Sequence, residues 1–69
     1  MNEPEFTAYE INALKRQKSL PVPRQSYYEK CYDFLMQFEK GEIGKFENLT
    51  ERQQKWLWGI KSMVREMVK

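Results

Sequence analysis

Apolar residues recur along the last third of the chain with a helical period. With Ile60 set at zero and about 100° per residue, Gln53, Trp56, Leu57, Met63, Val64 and Met67 all fall within about 60° of it. Upstream, LTERQQ offers Thr50 as an N-cap and Gln53 three residues on, a capping box that satisfies two orphan donors reciprocally. The pattern predicts a helix over 51–68. A second stripe, Tyr27, Tyr28, Cys31, Phe34, Leu35 and Phe38, follows SYYE, where Ser26 and Glu29 suggest another box. It stops before Gly41, a good residue just past a helix end, so it predicts a helix over 27–40. Tyr32 and Met36 lie together beyond the edge of this stripe.

The remaining segments are less periodic. TAYE suggests a third box, Thr7 with Glu10, ahead of a thin stripe of Ala8, Ile11 and Leu14, and predicts a weaker helix over 8–18. Pro21 and Pro23 in SLPVPRQ favour extended backbone, a stiff connector or a strap laid across the helices through Leu20 and Val22. In GEIGKFENL the spacing of Ile43, Phe46 and Leu49 suggests a linker folded back onto the core. The expected fold is all-α. An antiparallel hairpin of helices 27–40 and 51–68 carries the weaker helix and the strap, in one domain spanning 1–69. The expected core is Cys31, Leu35, Phe38, Trp56, Leu57, Ile60 and Val64.

Composition narrows the chemistry. The chain has 69 residues, one cysteine and no histidine. The commonest neutral-pH base and the commonest zinc ligand are therefore missing, and a structural zinc site is excluded. Cys31 lies on the apolar stripe and reads as a buried core thiol. GEIGK matches no phosphate-binding fingerprint. The expectation is a protein that is not an enzyme and uses no cofactor, no metal and no small-molecule substrate. The acidic opening MNEPEF does not read as a signal peptide, and no apolar run reaches membrane-spanning length. With a single cysteine, this suggests a cytoplasmic protein with no membrane partner.

Net charge is only +2, but it is unevenly distributed. Residues 1–10 carry three acids and no base, whereas residues 11–26 carry Lys15, Arg16, Lys18 and Arg24 and no acid. Four cations among prolines resemble an arm for an acidic surface or a phosphate backbone, with a solvated connector as the plainer reading. The C-terminal helix has a basic side as well. Trp58 falls about 160° from Ile60, among Lys55, Lys61, Ser62 and Arg65. An indole among cations suits a protein partner or a homodimer contact, and it also suits nucleic acid. The competing reading is packing under the first helix or the strap. Gly59 beside it costs a helix about 1 kcal/mol, which suggests close approach by another backbone. Tyr32 with Met36 makes a second, smaller patch.

The run LTERQQKWLWGIK resembles the C-terminal helix of small phage- or prophage-encoded helical proteins of the L-T-x-R/K-Q-x-x-W-L type. The likeness covers about a dozen residues and carries no catalytic position. It implies an accessory protein that binds host or replication machinery. The functional expectation is a non-enzymatic adaptor or regulator acting through the Trp58 face. The alternative is a small nucleic-acid-binding protein using the basic arm and that face.

Overall fold

The computed structural model describes residues 3–21 and 23–69. It is all-α, with α1 at Ala8–Ser19, α2 at Gln25–Glu39, a 3-10 turn at Phe46–Asn48 and α3 at Glu51–Met67. Two starts follow directly from local chemistry. The Thr7 hydroxyl accepts from the Glu10 N–H at 3.1 Å, and the Glu10 carboxylate accepts from the Thr7 N–H at 2.8 Å. Thr50 and Gln53 repeat the exchange at 3.2 and 3.0 Å.

The third expected box does not form. α2 begins at Gln25, two residues before the predicted start, with Arg24 as an N-cap that makes no side-chain capping bond. Ser26 therefore lies inside the first turn. The competing interaction comes from Gln25, whose Nε2 donates to the Lys18 carbonyl at 2.9 Å and ties the end of α1 to the start of α2. At the other end, Gly41 adopts a φ of 76°, the left-handed conformation that a side chain disfavours. Its N–H donates to the Phe38 carbonyl, and the Glu42 N–H donates to that of Gln37. That pair of bonds is a Schellman ending.

The core joins Leu14, Cys31, Phe34, Leu35, Phe38, Phe46, Leu49, Leu57, Ile60 and Val64. Trp56 is only partly buried, its ring stacked 4.3 Å from that of Phe34. Phe46 and Leu49 fold the α2–α3 linker back onto the core, as their spacing suggested. The first helix contributes more than its thin stripe promised. Leu14 is fully buried, Ala13 nearly so, and α1 approaches α2 more closely than α3 does.

The proline-containing connector lies outward where it is described. Leu20 is 45% exposed, Pro21 and Pro23 are exposed, and Val22 lies outside the described residues. The segment that buries itself is the extended stretch ahead of α1. Pro4 is fully buried there, and Phe6 packs against the core. Gly59 also departs from expectation. A β-carbon at that position meets nothing within 4 Å, so no backbone within the described fold requires a glycine there. Among the described residues, no helix is long and apolar enough to cross a membrane.

Candidate interaction surfaces

α3 turns Leu57, Ile60 and Val64 inward, which leaves Trp58 on the outside at 40% exposure. The indole borders a shallow groove of about 540 Å³ lined by Glu51, Gln54 and Lys55. Gln54 is held in place because its Nε2 donates to the carbonyls of Phe46, at 3.0 Å, and Leu49, at 3.3 Å. Lys55 pairs with Glu51 one turn earlier, at 3.2 Å, and both side chains stay largely in solvent. Ser62 and Arg65 are exposed further along the same side.

Lys61 faces elsewhere. Its Nζ lies 2.7 and 2.8 Å from the two carboxylate oxygens of Glu10. It also lies 5.6 Å from the centre of the Phe6 ring. Only 17% of the Lys61 side chain and 5% of the Glu10 side chain are exposed. Burial pushes the Glu10 carboxyl up. The Lys61 ammonium and the Thr7 N–H and hydroxyl outweigh that and hold it below the usual carboxylate range. A cation that the helical wheel grouped with Trp58 instead joins α3 to α1. Glu10, Phe6 and Pro4 were absent from the expected core and sites. The proline in EPEF, which favours extended backbone before it, was the available hint for this segment.

The basic segment is folded into the α1–α2 corner. Lys15 and Arg16 are exposed on α1, and Lys18 is half-buried with its ammonium 4.7 Å above the Tyr32 ring. Arg24 is exposed and lies 4.9 Å above Tyr27, itself 41% exposed. The second expected patch is thus partly covered: Tyr32 lies under Lys18, and Met36 is half-buried. The Tyr27 phenol is pushed up by its hydrogen bond with Cys31 and by burial, against the pull of Arg24. Cys31 itself is fully buried.

The opposite end is acidic. Glu3, Glu39 and Glu47 share a depression with Phe38, Lys45 and Phe46. Partial burial and the charge of Glu3 push Glu39 up. Among the described residues no group of three or more His, Cys, Asp or Glu is placed to hold a metal ion. No protein-family model matches this chain, and comparison with curated proteins and with solved structures finds no significant match.

Proposed function

We propose that this chain is a non-enzymatic protein-binding adaptor or regulator whose contact surface is the outer face of α3, centred on Trp58. One observation carries the reading: a tryptophan 40% exposed beside a groove lined by Gln54, which is itself fixed by the Phe46 and Leu49 carbonyls. Tryptophan is among the residues most enriched at binding hot spots. The groove suits the apolar edge of a partner's helix or extended peptide, with Lys55, Ser62 and Arg65 as its polar rim. Lys61 belongs to the fold rather than to this rim.

In this reading α2 and α3 form an antiparallel hairpin. Phe34 meets Trp56, while Phe38, one turn later in α2, meets Phe46, which precedes α3. The hairpin buries one side of α3 and presents the other. The resemblance of LTERQQKWLWGIK to phage-encoded helices favours a partner among host or replication proteins.

The test is Trp58→Ala, measured against a partner first captured on the wild-type protein and then purified. The variant is expected to keep its helical circular dichroism and to bind about 30-fold more weakly, the equivalent of about 2 kcal/mol. If sedimentation instead shows a wild-type dimer that Trp58→Ala dissociates, the occupant is a second copy. Undiminished binding by the folded variant, with no change in oligomeric state, overturns the proposal.

A further inference from the structure

Lys55 and Lys61 of α3, and Lys69 just beyond its end, each pair with a glutamate, whereas Arg52 and Arg65 of α3 enter no ion pair among the described residues. Among the described residues, no ion pair involves Lys15, Arg16, Lys18 or Arg24. Lys15, Arg16 and Lys18 lie within about 4.5 Å along the axis of α1 but fan over about 160° around it, and Gln25 fastens the end of α1 beside Arg24. The corner therefore carries four cations, two of them placed over tyrosine rings.

The geometry points to this corner as a binding surface for a single strand of nucleic acid, independent of the Trp58 face. Lys15, Arg16 and Lys18 supply phosphate contacts. The open Arg24–Tyr27 stack supplies a flat surface on which a base stacks, an arrangement that tolerates any sequence because every base has a π face. An acidic protein would use the charges but has no need of the stack. Among the described residues beside the corner, Leu20 offers less exposed aliphatic area than insertion into a bilayer needs.

The full chain is titrated into labelled oligonucleotides of about 15 nucleotides, single-stranded and duplex, and fluorescence anisotropy is followed across a salt series. Three phosphate contacts on a single strand predict a log–log salt slope of about −2.1. That is a roughly 20-fold loss of affinity between about 50 and 200 mM salt. Lys15→Gln with Arg16→Gln, both exposed positions, is expected to flatten the slope by about 1.4. Tyr27→Ala is expected to weaken single-strand binding by about 5-fold or more. Lys55→Gln with Arg65→Gln on α3 is expected to leave binding unchanged. Circular dichroism confirms that each variant is folded. No anisotropy change at low salt overturns the inference, as does binding indifferent to Lys15→Gln with Arg16→Gln. Preference for duplex unaffected by Tyr27→Ala, or binding only to vesicles rich in phosphatidylserine, also overturns it.

Discussion

α1 and α3 begin with the same device and put it to different uses. Each opens on a threonine whose hydroxyl accepts from the third helical N–H, and each returns a side-chain oxygen to the threonine's own N–H. The Thr50–Gln53 box lies in solvent and does no more than start its helix. In the Thr7–Glu10 box the threonine is exposed but the Glu10 carboxylate is buried, and it also accepts from Lys61 across the helix interface. One change of residue type, glutamate for glutamine, separates a local cap from a tertiary anchor. A charge at the third position is tolerable inside only because an ammonium meets it there.

Removing that ammonium is expected to be the most damaging single change. Lys61→Met keeps the aliphatic stem and strands the Glu10 carboxylate, so it is expected to cost about 3–5 kcal/mol in chemical denaturation. Adding Glu10→Leu to that variant is expected to recover most of the loss, because replacing both partners by apolar groups is often neutral.

Glu10→Gln converts the first box into a copy of the second. It preserves the cap and gives up the charge, at an expected cost of about 1.5–3 kcal/mol. Because Glu10 titrates below the usual range when folded, its contribution is full above the unfolded value of 4.5 and is lost as pH falls through the folded one. Acid titration of the wild type should show this limb, and Glu10→Gln should lack it. Thr50→Ala, in the exposed box, is the mildest change, expected to cost about 1 kcal/mol without altering the pH profile. If it cost as much as Lys61→Met, the distinction between the two boxes would fail.

The same pair marks where sequence reasoning worked and where it stopped. Both boxes, the Gly41 ending and the phase of Leu57, Ile60 and Val64 were legible because they depend on neighbours three or four residues away. The role of Lys61 was not. A helical wheel places it about 100° from Ile60, at the border between faces, and only the docking of α1 decides which side it joins. The burial of Pro4 and the outward turn of Leu20 were hidden for the same reason. Each depends on where a non-adjacent segment runs. Ser26 shows local reasoning defeated: its box was well formed in the sequence, yet Gln25 reaching back to Lys18 starts α2 earlier. For the candidate surfaces, the sequence showed that Trp58 points away from Ile60. It did not show that one of the surrounding cations is withdrawn into the fold.

The Glu10–Lys61 contact has a further consequence for how the chain reaches its native form. It joins residues 51 positions apart, so nearly three quarters of the polymer must be looped before it forms. Closing such a loop from a flexible chain costs roughly 3.5 kcal/mol in length-dependent entropy. α1 and α2 face no comparable cost, because five residues separate them. Their pairing is the kinetically cheap event. On this topology the Glu10 carboxylate is expected to stay hydrated until α3 docks, with desolvation of the two charges as a late step.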